Sequence, residues 1–312
     1  MSTRATNIEP GTVSENVYVE GCAWIEGEYL PIAEARIPIT DTGFTRSDCT
    51  YDVVATWKRR FFRLEDHLAR FERSWQAMHL QPPLSLAEMR RILRECVRRS
   101  RLEDAYVEMI LTRGVPPAGI RDPRQFQNRF YAFAIPYVWI VQPADQLVGT
   151  HLIVARDVTR IEPRSVDPAV KNFHWGDMTR GLYEAYEREA VTAVLLNTAG
   201  EVTEGPGFNV FVLKDSVLWT PASGVLEGIT RKTVLELAAQ DGIETRVTMF
   251  DPAVLYGADE IFLTSTAGGV MPVTSLDGKP VADGKPGETS IRLRQLYWAA
   301  HEDEAFTEAI DD

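Results

Sequence analysis

Cysteine, histidine and lysine are all scarce in this chain. The three cysteines, Cys22, Cys49 and Cys96, lie far apart in no paired spacing, which argues against a disulfide framework or a thiolate zinc site. The five histidines, at positions 67, 79, 151, 174 and 301, form no HExxH-type pair, so no metal is expected. Long hydrophobic runs are also missing. The longest, FYAFAIPYVWIV, is broken by Pro136 and too short to cross a bilayer, and the polar opening residues lack an apolar stretch; neither membrane insertion nor export is expected, and a cytoplasmic location is. Positive charge is in deficit. A net charge of -12 disfavours nucleic acid as a partner. The chain has no GxGxxG opening a helix after a strand, no Walker loop and no GxSxG elbow, which weakens nucleotide-cofactor and serine-hydrolase readings.

What is present is an ordinary globular composition, 45% hydrophobic and 25% charged over 312 residues, enough for two lobes. VYVEGCAWIEGEYLPI alternates and turns at Glu26-Gly27 like a hairpin, and TYDVVATW followed by KRRFF reads as a strand pair. Leu64, Leu68, Phe71, Trp75 and Met78 recur at helical spacing. Beyond Pro82 and Pro83, Ser85 and Glu88 offer a capping box for a second helix, whose arginines read as a solvated face. Two β-rich runs close this α/β lobe, residues 1–140, and QPADQLVGT is the best linker, residues 141–149. From 150 to 312 strands and helices alternate again as a second lobe.

Six lysines are few enough to weigh singly. Lys58, Lys214, Lys279 and Lys285 sit in charged or turn-marked segments and Lys232 in a helix's first turn, whereas Lys171, in VKNFHWGDM, lies among Phe173, Trp175 and Met178, before a helix that Asp177 is placed to cap. An amine attacks carbonyls only when neutral, which costs a free lysine of pKa ~10.4 roughly 4 kcal/mol at neutral pH; aromatic neighbours supply part of that by desolvation. Two loops suit a phosphate: Gly228, Ile229 and Thr230 at a helix start, and Ser265 to Gly269 after a strand. Glu204 stands beside Gly205 and Gly207, where a flat ring has room to approach. Each feature alone also has a plainer reading: a snorkelling lysine, a threonine-capped helix, a glycine turn, a solvated acid.

Together, VKNFHWGD, TEGPGFNVF, GITRK and DEIFLTSTAGG followed by MPVTSLDG resemble, in order and spacing, the fold-type IV pyridoxal-phosphate aminotransferases. The resemblance spans most of residues 20–300. It implies a two-domain α/β (α+β) fold with the active site between the lobes, pyridoxal 5'-phosphate as cofactor, Lys171 as Schiff-base residue and acid/base, and Glu204 as partner of the pyridine nitrogen. It implies Ile229, Thr230 and Thr266 around the phosphate, with Arg70, from LEDHLARFERS, clamping it. A homodimer acting on a small-molecule amine and a keto acid is implied as well.

Within the family, SDCTYDVVATW, YVEMILTRG and PYVWI, with Trp175 where branched-chain enzymes usually carry tyrosine, look most like the (R)-selective amine transaminases. By that resemblance Arg46, Tyr51, Val53, Tyr106, Glu108, Trp175 and Ala267 line the substrate pockets, and Arg121, in PPAGIRD, is a further substrate candidate. Several relatives have histidine where Arg46 stands. The two arginines keep a D-amino-acid substrate open. Branched-chain amino acids stay open as substrates too, as does an aminodeoxychorismate lyase-like reaction.

Overall fold

The computed structural model describes residues 16–311. In the first lobe, strands β1 (Cys22–Ile25), β2 (Glu28–Pro31), β3 (Cys49–Trp57), β4 (Arg60–Phe62), β5 (Ala105–Thr112) and β6 (Arg129–Pro136) join an antiparallel sheet; helices α1 (Thr42–Arg46), α2 (Leu64–Ala77) and α3 (Leu86–Ser100) lie between them in sequence. The expected hairpin turns at Glu26 and Gly27, both at positive φ. Ser85 and Glu88 form the expected capping box, which satisfies first-turn amides that a helix cannot pair internally. The apolar stripe of α2 (Leu64, Leu68, Phe71 and Trp75) meets Met89, Leu93, Cys96 and Val97 of α3 in one core against the sheet.

After helix α4 (Pro143–Val148), the second lobe is built from β7 (Thr150–Thr159), α5 (Gly176–Glu187), β8 (Thr192–Leu196), β9 (Glu204–Gly205), β10 (Phe208–Lys214), β11 (Val217–Thr220), α6 (Ile229–Gln240), β12 (Glu244–Val247), α7 (Ala253–Tyr256), β13 (Glu260–Ser265), β14 (Gly269–Leu276), β15 (Lys279–Pro280) and α8 (Glu288–Ala300). Its sheet runs β12-β11-β10-β13-β14-β7-β8 and mixes parallel with antiparallel pairs. Helices α6 and α8 cover one face, where Val234, Leu237, Leu293 and Tyr297 pack on Phe211 and Phe262.

Three local expectations change. The segment read as plain linker contains α4, begun by Pro143, a residue favoured in a first helical turn. Asp177 is not the N-cap of α5, which is Trp175; one of its oxygens accepts from the first-turn Met178 N–H at 2.8 Å, and the other from Arg160 Nη1 and the Ile161 N–H, both at 2.7 Å. The arginine face of α3 is not simply solvated, since Arg90 and Arg94 reach Glu308 at 2.5 and 2.6 Å. Glu308 belongs to β16 (Thr307–Ala309), which returns from the chain's end to pair with β4 at the edge of the first sheet.

Candidate active site

Between the two sheets lies a cavity of about 360 Å³. Tyr51 and Val53 of β3 and Tyr106 of β5 wall it on the first lobe's side, and Lys171, Trp175, Glu204, Ile229, Thr230, Thr266 and Ala267 on the other, with Arg70 at its edge. These eleven side chains come from loops and strand ends spread over most of the chain, and folding brings them to one space.

Lys171 is held by its backbone, leaving the amine free to project. Its C=O accepts from Thr50 Oγ1 at 2.7 Å and the Tyr51 N–H at 3.1 Å. Its Nζ lies 4.4 Å from the centre of the Tyr51 ring, which stacks on Phe173 at 4.2 Å. The lysine loop is thus pinned across the lobes to β3, and an aromatic face shields the half-buried amine.

Glu204 is 3% exposed. One oxygen accepts from Arg160 Nε at 3.2 Å and the other from the Leu226 N–H at 2.8 Å. Burial pushes this carboxyl above its ordinary range, while the charge and hydrogen bonds of Arg160 pull it back. Arg160, which no sequence motif singled out, lines the same cavity and also pairs with Asp177. No spacing rule marks it, because its partners lie 44 and 17 residues away.

At the opposite end, Arg70 is 3% exposed and makes two parallel bonds to Asp52, Nε at 2.7 Å and Nη2 at 2.8 Å. Its Nη1 donates to the Glu227 C=O at 3.1 Å. Asp52 and His67, which completes this cluster at 2.8 Å, are likewise absent from the sequence motifs. One signal was available: a carboxylate inside the apolar run YDVVA demands a buried cation.

The start of α6 faces the cavity. Its N-cap is Gly228, with no side chain closing the first turn, so the plainer reading of a threonine-capped helix does not hold and the leading amides stay available to an anion. A side chain at Gly228 would meet Asn209 Oδ1 at 2.2 Å; the glycine is required there. The Thr264 hydroxyl, also in the wall, is buried and has no hydrogen-bond partner among the described residues.

Three sequence candidates lie outside the cavity wall. Glu108 sits just behind it, its carboxylate accepting from Tyr106 Oη at 3.2 Å, and burial pushes its pKa up to about 7 against the opposing charge of Lys171. Arg46 and Arg121 are exposed, on α1 and on the loop before β6. The described residues contain no cluster able to hold a metal, and no helix among them is long and apolar enough to cross a membrane.

An amine beside an aromatic ring, a buried carboxylate and an uncapped helix start beside an arginine fit the three chemical parts of pyridoxal 5'-phosphate: aldehyde, ring nitrogen and phosphate. The unpartnered Thr264 hydroxyl adds a donor where such a group would lie. The family model for amino-transferase class IV matches residues 50–276. A putative branched-chain-amino-acid aminotransferase of Methanocaldococcus jannaschii is 30% identical over 88% of this chain and 94% of its own length. The D-alanine aminotransferase of Bacillus licheniformis is 31% identical over 84% of this chain and 90% of its own. Among solved structures, the branched-chain amino acid aminotransferase of Thermobaculum terrenum in its PLP form superimposes with a TM-score of 0.83 at 26% identity, covering 93% of this chain and 98% of that one. The molecule is a pyridoxal-phosphate-dependent aminotransferase. It belongs to the class IV family.

Proposed function

We propose that this enzyme moves an amino group from an (R)-configured primary amine to a keto acid such as pyruvate. Lys171 carries the cofactor and moves the proton, Glu204 faces the ring nitrogen, and Arg70, Ile229, Thr230 and Thr266 hold the phosphate. When bound, the cofactor supplies a carbonyl that condenses with amines and a ring that accepts electrons. Arg160 then acts as the counter-charge that keeps Glu204 anionic, so that a proton is retained on the ring nitrogen.

The observation that supports an amine donor is the state of the cavity's cations. Among the described residues, the arginines and lysines in its wall are Arg70, Arg160 and Lys171. Arg70 is committed to Asp52, and Arg160 to Glu204 and Asp177. The wall residues proposed to meet the substrate, Tyr51, Val53, Tyr106, Trp175 and Ala267, are aromatic or apolar, so an apolar donor enters without stranding a buried charge. Arg46 and Arg121 stand outside, free to meet an acceptor carboxylate by moving or by serving a neighbouring copy. The assembly is a homodimer, for which light scattering should give at least twice the 35.1 kDa chain mass.

A D-amino-acid substrate is the second reading, favoured by the D-alanine aminotransferase relatives. Bound-cofactor spectra after mixing with (R)- or (S)-1-phenylethylamine, D- or L-alanine, or L-leucine separate the readings. Conversion to the pyridoxamine form by the (R)-amine and not the (S)-amine is expected. Conversion by D-alanine alone would establish the second reading, by L-leucine the branched-chain one, and release of pyruvate from aminodeoxychorismate without amino transfer the lyase one.

A further inference from the structure

The Asp52 carboxylate has no exposed surface and lies behind the cavity wall. It accepts from Arg70 Nε on Oδ2 and from Arg70 Nη2 on Oδ1. Oδ1 also takes the Nδ1–H of buried His67 at 2.8 Å and the N–H of Val53 at 2.7 Å. Burial alone would push this carboxyl up, but the charge and hydrogen bonds of Arg70, joined by His67, hold it well below the usual carboxylate range. His67 is itself pushed down by burial, which keeps it neutral as the donor on Nδ1.

The planar fork has a geometric consequence. A guanidinium has five N–H bonds in fixed directions. Two face Asp52, and one from Nη1 is taken by the Glu227 C=O, next to the N-cap of α6. Nη2 also lies 3.5 Å from His67 Nδ1, and the arginine lines the cavity beside Gly228, Ile229 and Thr230, where α6 begins. The orientation of Arg70 is therefore set from behind, before any ligand arrives.

We propose that Asp52 is the positioning residue for phosphate binding, fixing the Arg70 fork so that its free edge and the first amides of α6 meet the phosphate together. This rests on the reading of Arg70 as the phosphate clamp. The proposal makes a counterintuitive demand. Removing a carboxylate behind an anion site should strengthen anion binding if only charge mattered, whereas losing a preorganised donor weakens it.

The test converts the holoenzyme to its pyridoxamine 5'-phosphate form with an amine donor, then measures the dissociation constant of that cofactor by equilibrium dialysis, with inorganic phosphate as competitor. Asp52→Asn, nearly isosteric, should raise the dissociation constant at least about tenfold and weaken phosphate competition in parallel, with cooperative thermal unfolding retained. Asp52→Glu keeps the charge but displaces the fork and should weaken both as well, which covers an Asn variant that fails to fold. An unchanged or tighter dissociation constant in a folded Asp52 variant overturns the proposal, as does a loss not mirrored by inorganic phosphate. Arg70→Gln separates the levels. If it leaves both affinities intact, the phosphate-clamp reading fails; if it weakens them while the Asp52 variants do not, only the positioning role fails.

Discussion

Arg160 and Glu204 form a buried ion pair, with Arg160 Nη2 3.1 Å from Glu204 Oε1. The arginine is shared, its Nη1 holding Asp177 at 2.7 Å in the first turn of α5. Arg160→Met should therefore leave two carboxylates without their cation. Breaking a buried pair costs about 3–5 kcal/mol, and a protonated Glu204 loses its electrostatic role. Turnover should fall at least about tenfold, as should that of Glu204→Gln, and the double variant should be little worse than the single ones. Additive losses in turnover would mean that Arg160 acts elsewhere.

In the proposed function, carboxylate handling falls to an arginine outside the wall. Arg121 is exposed on a Pro- and Gly-containing loop, and a guanidinium that swings in pairs well with a carboxylate and returns to water without penalising an apolar donor. Arg121→Ala should raise the Michaelis constant for pyruvate at least about tenfold, roughly 1.4 kcal/mol. The (R)-1-phenylethylamine half-reaction should barely change. A selective loss in Arg46→Ala instead would transfer the role to Arg46, and parallel loss of both half-reactions would remove it from Arg121.

His301 ends α8, stacked on Phe62 at 3.7 Å, with Nδ1–H donating to the Tyr297 C=O. Burial pushes its pKa down to about 4. The unfolded value is ~6.5, so between these two pH values the unfolded chain binds more protons, and stability is lost as pH falls through that window. From about pH 7 to about pH 5 the loss is about 2 kcal/mol. Urea unfolding should show this extra acid sensitivity in the native protein and not in His301→Phe. Equal pH dependence in both would place the sensitivity in other groups.

Much of the site was legible because the residue types that carry its chemistry sit in loops between strongly patterned elements. Lys171 stood out among six lysines by its aromatic neighbours, and the glycines at 228, 268 and 269 marked close backbone approaches. Arg160 was not legible, since an arginine after a strand acquires meaning only from Glu204, 44 residues on. Asp52 gave a local clue, a charge within an apolar strand, but its partner Arg70 sits on a helix whose periodicity marks that position as surface. The fold behaved alike. Local signals such as the Ser85 capping box and the Glu26-Gly27 turn held, whereas the return of β16 to β4 depends on arginines of α3 gripping Glu308, over 200 residues away. Asp177 looked like the cap because local rules show its bond to the first-turn Met178 N–H but not the arginine that takes its other oxygen.

Chemical capture of the cofactor tests the site as a whole. Purified protein should be yellow, and borohydride should reduce the link between cofactor and enzyme to a stable secondary amine, after which peptide mapping locates the label. The cavity predicts the label on Lys171 and none in Lys171→Ala. A label on any of the other five lysines would contradict the assignment of this cavity as the cofactor site.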